Sequence, residues 1–241
     1  MGAFSGRRAI IAGATGAIGQ VIADRLVGAG ATVLLLARRR SALEQLVRER
    51  EWDPEAVVCH AVDLSVEAEI QDFAAKVLRT RQPVHVLVHA AGAISLGGID
   101  ESPLSDFDLQ YQVNVRAPYQ LTQALLPQLI EGRGQVVFIN SNAGIHPRPG
   151  AAQYAATKYA LRAIADTLRE EVNERGVRVL SVYLGRVASE MQRAVYERER
   201  RPYAPEKLLQ PSEIATVVLS ALQLPPTAEV TDLYIRNMIK H

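Results

Sequence analysis

The sequence predicts an α/β protein in which a doubly wound parallel sheet carries helices on both faces. Short apolar runs alternate along the chain with longer helical patterns, which is the order of elements in such a sheet. Several of the apolar runs are nearly continuous Val, Leu and Ile, as expected for strands that are buried on both faces. The helical stretches between them have the length of crossovers from one parallel strand to the next.

The individual elements follow from this alternation, and no linker, repeat or low-complexity segment interrupts them. The predicted strands, in chain order, are Arg8–Ala12, Thr32–Ala37, Ala56–Val62, Val84–Ala90, Gln135–Asn140, Val177–Leu184 and Val230–Ile235. The predicted helices include Ala17–Ala29, Ala42–Glu51, Val66–Arg79, Leu104–Ile130 and Ala151–Arg175. A chain of 241 residues suits one large domain, so we predict a single domain over residues 1–241.

Composition and charge exclude several classes of protein. Hydrophobic residues make up 48% of the chain and charged residues 22%, an ordinary globular balance, and the net charge of +1 gives no broad attraction to nucleic acids or anionic membranes. The single cysteine, Cys59, excludes an intramolecular disulfide and a Cys-based zinc site, and we expect no bound metal. The apolar stretch near the N-terminus is too short for a membrane helix and lacks the layout of a signal peptide, so we expect a cytoplasmic protein.

A glycine-rich turn, Ala12-Gly13-Ala14-Thr15-Gly16-Ala17-Ile18-Gly19, joins the first strand to the first helix. The first backbone N–H groups of a helix are unpaired and its dipole adds partial positive charge there, so small residues at this point let a pyrophosphate approach closely. Because the motif follows a first strand and opens a helix, it predicts a dinucleotide site. The alternative is a tight turn in another kind of α/β protein.

Three consecutive arginines follow the second strand, where a dinucleotide fold that binds NAD usually has an acidic residue. After the first helix no carboxylate occurs before Glu44, and Ser41 and Glu44 have the spacing of a capping box. The arginines would then lie just before a helix N-terminus, where cations are disfavoured unless a phosphate binds. We therefore predict that Arg38, helped by Arg39, binds the 2′-phosphate of NADP(H). A solvated charge run is the alternative, and it remains open for Arg40.

The strongest chemical signal is the sequence Tyr154-Ala155-Ala156-Thr157-Lys158, which places Tyr154 and Lys158 on the same side of a helix. A free phenol has a pKa of about 10, and a nearby ammonium group lowers it. Tyr154 could then exchange a proton with an alcohol or a carbonyl while a hydride moves to or from the cofactor. The same spacing also arises by chance on helix surfaces, so the surrounding residues decide its meaning.

Two further residues support this interpretation. Ser141 ends the fifth strand, where ligands of such sheets bind, and its hydroxyl could hold a substrate oxygen towards Tyr154, although a turn cap is the alternative. Asn114 lies in a long predicted helix with Pro118 four residues later. Because proline has no N–H, the carbonyl of Asn114 would be free to bind a water that links it to Lys158. A helix kink without chemical use is the alternative.

Taken together, these residues resemble the compact single-domain branch of the short-chain dehydrogenase/reductase family over nearly the whole chain. The type, order and spacing of Asn114, Ser141, Tyr154 and Lys158 match the catalytic four of that family. The resemblance implies a Rossmann fold with a seven-stranded sheet, hydride transfer at a carbonyl carbon of a small-molecule ketone or alcohol, and a homodimer or homotetramer. It also implies that the cofactor contacts Gly13, Thr15, Gly16, Ile18, Gly19, Asp63, Leu64, Ala90, Ala91, Gly92, Tyr154, Lys158, Gly185, Val187 and Ser189.

The sequence departs from the family pattern at several cofactor positions. Ala17 replaces the middle glycine, His89 and Ala90 replace two asparagines, and Leu184 replaces the proline before Gly185. The loss of both asparagines leaves only backbone contacts to Ala90. These departures affect the geometry of the cofactor rather than the proton chemistry.

The substrate is poorly specified by the sequence. We predict a lid of loop and short helix over residues 186–210, and apolar substrate contacts from Ile145, Met191 and Val195. Arg148 or Arg186 could hold an acidic substrate, although solvated arginines are commoner. Two alternative functions stay open, which are an NAD-linked alcohol dehydrogenase on the same scaffold and a non-catalytic NADP(H)-binding redox sensor.

Overall fold

The computed structural model describes residues 2–238, which contain a seven-stranded parallel sheet. Its strands are β1 (Arg8–Ala12), β2 (Thr32–Ala37), β3 (Val57–Ala61), β4 (Val86–His89), β5 (Gln135–Ser141), β6 (Arg178–Leu184) and β7 (Asp232–Ile235). Their order across the sheet is β3-β2-β1-β4-β5-β6-β7, with every neighbouring pair parallel. The chain therefore winds outwards from β1 in one direction and then from β4 in the other, and the predicted doubly wound sheet is confirmed.

The predicted strands differ from the observed ones only near their ends. Val84 and Val177 are fully buried but precede their strands, because their N–H groups are bonded to the helix carbonyls of Gln128 and Val172 and not to a neighbouring strand. An apolar sequence pattern indicates that a residue is buried, but it does not show whether the residue pairs with a neighbouring strand.

The helices cover both faces of this sheet. They are α1 (Ala17–Gly28), α2 (Arg40–Glu49), α3 (Glu67–Arg79), α4 (Leu104–Tyr111), α5 (Ala117–Glu131), α6 (Ala152–Val172), α7 (Glu190–Arg198) and α8 (Pro211–Leu222). One hydrophobic layer packs α1, α2 and α8 against the sheet, and the other packs α3, α5 and α6. Strand β1 shows the alternation, since Ile11 belongs to the first layer and Ile10 to the second.

Two predictions about helices are wrong. The long helix predicted over Leu104–Ile130 is interrupted by a π-helical turn at Gln112–Arg116 between α4 and α5. Helix α2 begins at Arg40 with Arg39 as its N-cap, so Ser41 lies inside the helix and does not cap it, and Glu44 pairs with Arg40 instead. A capping box does occur at Gln210 and Glu213, where it starts α8, a helix that the sequence patterns did not single out.

Residues 186–210 connect β6 to α8 as a long loop, which contains α7 and a 3₁₀ turn at Pro205–Lys207. We refer to this loop as the 186–210 excursion. Its two ends pair in an isolated parallel bridge between Val187 and Leu209. Ala188 donates its N–H to the carbonyl of Leu209 at 2.9 Å, and Leu209 donates its own to Arg186 at 3.1 Å. This closure fixes the excursion over the carboxyl end of β6. Among residues 2–238 no helix is long and apolar enough to span a membrane.

Candidate active site

A cavity of about 770 Å³ lies at the carboxyl edge of the sheet, where parallel sheets of this kind bind ligands. One wall comes from the turn after β1 and the loop after β4, and the other comes from the end of β5, helix α6 and the 186–210 excursion. The cavity thus brings together segments that are distant in the sequence but share one edge of the sheet.

The glycine-rich turn has a shape that only glycine allows at two positions. Gly13 has a φ of +87°, and a Cβ on it would lie 2.4 Å from the amide nitrogen of Ala91. A Cβ on Gly19 would lie 2.3 Å from the carbonyl oxygen of Gly13. Gly16 is the N-cap of α1, so the helix begins at Ala17 and its first N–H groups have no partner within the helix. The turn therefore forms a close cradle of backbone donors at the cavity wall.

The residues predicted to bind the cofactor divide into three groups. Those that line the cavity are Thr15, Gly16, Ile18, Ala90, Ala91, Gly92, Tyr154, Lys158, Gly185, Val187 and Ser189. Gly13 and Gly19 do not line the cavity, but their close backbone contacts shape the turn that does. Arg38, Arg39, Asp63 and Leu64 lie beyond the cavity, after the carboxyl ends of β2 and β3, which are adjacent strands on the β1 side of the sheet. An extended ligand could reach all three groups along one edge.

The arginines after β2 have different surroundings. Arg40 pairs with Glu44 at 2.7 Å on the exposed face of α2, which favours the solvated interpretation for that residue. Arg38 and Arg39 are exposed and make no ion pair with any residue of the described chain. Burial raises the pKa of the Asp63 carboxyl, but hydrogen bonds from Ser65 and the charge of Arg38 outweigh it, so the net shift is downwards. The charge of Arg38 therefore reaches the ends of both β2 and β3.

Tyr154 and Lys158 face the cavity from the first turns of α6. The Lys158 ammonium lies 5.8 Å from the centre of the Tyr154 ring and donates to the carbonyl of Ile139 at 3.2 Å. Burial lowers the pKa of Lys158 to about 8. Burial also raises the pKa of Tyr154, against the lowering effects of a hydrogen bond with Ser141 and of the charge on Arg148. Burial prevails over these lowering effects, so the net shift of the Tyr154 pKa is upwards, and not downwards as its spacing from Lys158 predicted.

Ser141 lies at the end of β5, opposite α6. Its Oγ accepts the N–H of Ala143 at 3.2 Å and caps a 3₁₀ turn, while it also forms the hydrogen bond to Tyr154. The neighbouring Asn140 accepts the Ser141 N–H at 2.8 Å and donates to the carbonyl of Lys158 at 3.2 Å. The buried Asn140 amide thus ties the end of β5 to α6 and fixes Ser141 relative to Tyr154, a positioning role that the sequence analysis missed.

Asn114 holds the loop after β4 through its side chain. Its Oδ1 accepts the N–H of Ala93 at 2.8 Å, and its Nδ2 donates to the Ala93 carbonyl and to Thr157 Oγ1 at 2.8 and 3.0 Å. Asn114 lies in the π-helical turn, where Ala117 donates to Gln112 five residues back. Pro118 has no N–H to give to Asn114 at α-helical spacing or to Val113 at π-helical spacing. The position of Pro118 predicted a free carbonyl at Asn114, but it did not predict the π-helical turn.

The departures from the family pattern have specific environments. His89 is buried, bonds to Thr122 Oγ1 at 2.8 Å and stacks on Phe138, and burial lowers its pKa to about 3. Ala90 uses its N–H on the carbonyl of Ala12 at 2.9 Å. His89 therefore serves packing, and it stays neutral at physiological pH.

Asn237, just after β7, holds the Gly185–Arg186 segment. Its Oδ1 accepts the Arg186 N–H at 3.0 Å and its Nδ2 donates to the Arg186 carbonyl at 3.0 Å. A Cβ on Gly185 would lie 2.6 Å from this Oδ1, so a larger residue there would have to displace the Asn237 side chain. No residue after the last strand was predicted to have a function, and no local pattern indicates this contact, because its partners are far apart in the sequence.

The substrate end of the cavity differs in part from the prediction. Met191 and Val195 of α7 line it as predicted, together with Ile94, Leu96, His146 and Arg148. Ile145 is not among the described residues that line the cavity, because its backbone is turned to α6 and its carbonyl accepts a hydrogen bond from the hydroxyl of Tyr159. Ser189 accepts the N–H of Gln192 at 3.1 Å and caps α7.

Glu199, the C-cap residue of α7, binds three arginines. Both of its oxygens accept from Arg186 Nη2 at 2.8 Å, one lies 3.0 Å from Arg148 Nη2, and the other lies 3.6 Å from Arg201 Nη1. We refer to these four residues as the Glu199 cluster. The Glu199 side chain is only 20% exposed, so its ion pairs are partly shielded from solvent. The cluster attaches the 186–210 excursion to the loop before α6.

Comparisons with known proteins agree with this geometry. The model of the short chain dehydrogenase family matches residues 7–200. A short-chain type dehydrogenase/reductase of Sinorhizobium fredii is 31% identical over 233 residues, covering 94% of this chain and 90% of its own length. A short chain dehydrogenase of Pseudocercospora fijiensis is 30% identical over 244 residues, covering 95% and 79%.

Solved structures of similar proteins superpose over nearly the whole chain. A metagenomic short-chain oxidoreductase in complex with NADP has a TM-score of 0.83 at 29% identity, with 99% of this chain and 100% of that chain covered. An alcohol dehydrogenase from the archaeon Thermococcus sibiricus, complexed with 5-hydroxy-NADP, has a TM-score of 0.85 at 28% identity and covers 98% of each chain.

Proposed function

This chain belongs to the short-chain dehydrogenase/reductase family of oxidoreductases, and from that premise we propose that it uses NADP(H) to interconvert a carbonyl and a secondary alcohol. The observation that carries the proposal is the convergence of Ser141, Tyr154 and Lys158 on one cavity beside the glycine cradle. A proton donor, a group that holds the reacting oxygen and a dinucleotide cradle are the parts that carbonyl reduction requires.

The glycine cradle fits a dinucleotide because it has no room for side chains at Gly13 and Gly19, while its unpaired N–H groups can bind a phosphate. The N–H groups of the first turn of α1 would hold the pyrophosphate, and the segment after β6 would border the nicotinamide. Arg38 and Arg39 would bind the 2′-phosphate, because they are exposed cations at the β2 end of the same edge and no carboxylate replaces them. The NADP present in the two structural relatives supports this choice.

Bound NADPH would supply the hydride for the carbonyl carbon. Tyr154 gives its hydroxyl proton to the carbonyl oxygen, which Ser141 holds in place by a hydrogen bond. A phenol whose pKa is not lowered is protonated before the reaction, as this acid role requires. Lys158 then stabilises the phenolate and passes a proton to it, and a water on the carbonyl of Asn114 would connect Lys158 to solvent.

Further features belong to the same proposal. Residues 1–241 act as one domain in which 186–210 forms the lid over the substrate. A homodimer or homotetramer and a cytoplasmic location stay predictions, as do the absence of nucleic-acid, membrane and metal ligands. A redox sensor would bind the cofactor without needing Ser141 beside a buried phenol, which favours the enzyme.

The test is NADPH and NADH consumption over a panel of ketones and aldehydes, with Tyr154→Phe beside the wild type. We expect turnover with NADPH, and a fall in kcat of about 10²- to 10⁴-fold in Tyr154→Phe, because general acid catalysis is lost. Tyr119→Phe, an exposed tyrosine on α5, is the matched control and should keep full activity. Full activity in Tyr154→Phe, or NADPH binding without turnover of any compound, would refute the proposal.

A further inference from the structure

The lining of the cavity contains more basic than acidic side chains. Among the described residues that line the cavity, the cations are Arg148, Lys158, Arg186 and Arg236, and the only acid is Glu190. The Glu190 side chain is 86% exposed and pairs with Arg193 on the outside of α7. It therefore does little to neutralise the interior, and a cationic substrate would be disfavoured there.

Arg148 is the cation that best combines access with proximity to the reacting groups. It lies on the loop between Ser141 and α6, it lines the cavity, and its side chain is 48% exposed. Its charge acts on Tyr154, which shows that the guanidinium lies within electrostatic reach of the phenol. A ligand whose carbonyl meets Tyr154 would thus have Arg148 close to its other end.

The Glu199 cluster shows that Arg148 binds a carboxylate group. Glu199 supplies one carboxylate to three guanidinium groups, and Nη1 of Arg186 remains buried without a hydrogen-bond partner. Glu199 is bonded most strongly to Arg186, with two contacts of 2.8 Å, whereas Arg148 reaches it through a single contact of 3.0 Å. Arg148 can therefore turn to a second carboxylate while Glu199 keeps Arg186 and the lid stays attached.

We propose that the substrate is an oxo acid, and the product the corresponding hydroxy acid, whose carboxylate is bound by Arg148 at the lid end of the cavity. The inference rests on the proposed function, since it names the substrate class for the same reaction. The apolar walls from Ile94, Leu96, Met191 and Val195 would contact the carbon chain between the carboxylate and the carbonyl. Arginine suits this role because its planar fork matches a carboxylate.

The test compares acids with their uncharged esters. Initial rates of NADPH consumption are measured with acetoacetate and methyl acetoacetate, and with levulinate and methyl levulinate, for the wild type, Arg148→Gln and Arg148→Lys. We expect kcat/KM of the wild type to be at least about 10-fold higher for the better acid than for its ester. Arg148→Gln should lower kcat/KM for that acid by about 10- to 100-fold and leave the ester within about 3-fold, and Arg148→Lys should restore part of the preference.

Arg201→Gln is the matched control, because Arg201 also pairs with Glu199 but does not line the cavity. It should leave the ratio of acid to ester unchanged. An equal loss for acid and ester in Arg148→Gln would assign Arg148 to lid attachment and overturn the inference, as would a wild type that prefers the esters. If neutral ketones are reduced in a Tyr154-dependent manner but no acid is preferred, the inference fails and the proposed function stands. If no carbonyl compound is reduced at all, the proposed function fails with it.

Discussion

The substitution Asn237→Ala removes the contact that holds the Gly185–Arg186 segment against the end of β7. Asn237 makes two hydrogen bonds of 3.0 Å to the backbone N–H and carbonyl of Arg186, both partly buried. A typical intramolecular hydrogen bond contributes about 1 kcal/mol net, so the loss of both costs about 2 kcal/mol. For a chain of this size, that cost lowers Tm by about 4–8 °C.

The same substitution should weaken the binding of the cofactor. Gly185 and Arg186 both line the cavity, so a loosened segment raises the Kd of NADPH, measured by fluorescence titration, while thermal unfolding gives Tm. Asn173→Ala is the matched control, because Asn173 is exposed and makes one bond of 2.8 Å to Glu229, far from the cavity. It should shift Tm by no more than about 2–4 °C and leave NADPH binding unchanged.

A double-mutant cycle isolates the contact itself. Gly185→Ala places a Cβ 2.6 Å from Asn237 Oδ1, so it should be strongly destabilising alone and less so in the Asn237→Ala background. If Asn237→Ala keeps the wild-type Tm and NADPH affinity, or if the two substitutions are simply additive, then Asn237 does not position this segment.

Two further predictions concern the cofactor and the buried histidine. Arg38→Ala should raise KM for NADPH by about 10- to 100-fold and leave KM for NADH nearly unchanged, because only NADPH carries the 2′-phosphate. The control Arg40→Ala should change neither KM value. An equal effect of Arg38→Ala on both cofactors would contradict the assignment. His89 has a pKa of about 3 in the folded protein and about 6.5 when unfolded, so between these values the unfolded state binds more protons and stability falls as pH falls. In His89→Asn the loss of Tm between pH 7 and pH 5 should be smaller than in the wild type, and an identical loss would show that His89 does not contribute to it.

Local patterns were sufficient for much of the fold. The bounds of β1 and β2 agree with the prediction because buried strands form continuous apolar runs between turns. The four-residue spacing of Tyr154 and Lys158 placed both on one side of α6, since helical geometry depends only on neighbours in the chain. The glycine turn was equally readable, because a φ of +87° at Gly13 requires glycine.

Other features depended on competition that a local pattern does not reveal. Ser41 and Glu44 have the spacing of a capping box, but α2 begins one residue before Ser41, and Glu44 pairs with Arg40. The expectation that Lys158 lowers the pKa of Tyr154 followed from spacing, whereas burial within the folded cavity raises it. In both cases the surroundings of the residue outweighed its sequence neighbours.

The sequence by itself determined the order of the strands along the chain, the tight turn at Gly13 and the residue types of the reacting groups, because each depends on a few adjacent residues. Only the tertiary structure decided which distant residues meet. Asn237 reaches Arg186 across 51 positions, and Glu199 reaches Arg148 through the closure of residues 186–210. Such contacts depend on how the carboxyl ends of neighbouring strands converge, which is a property of the packed sheet and not of any segment within it.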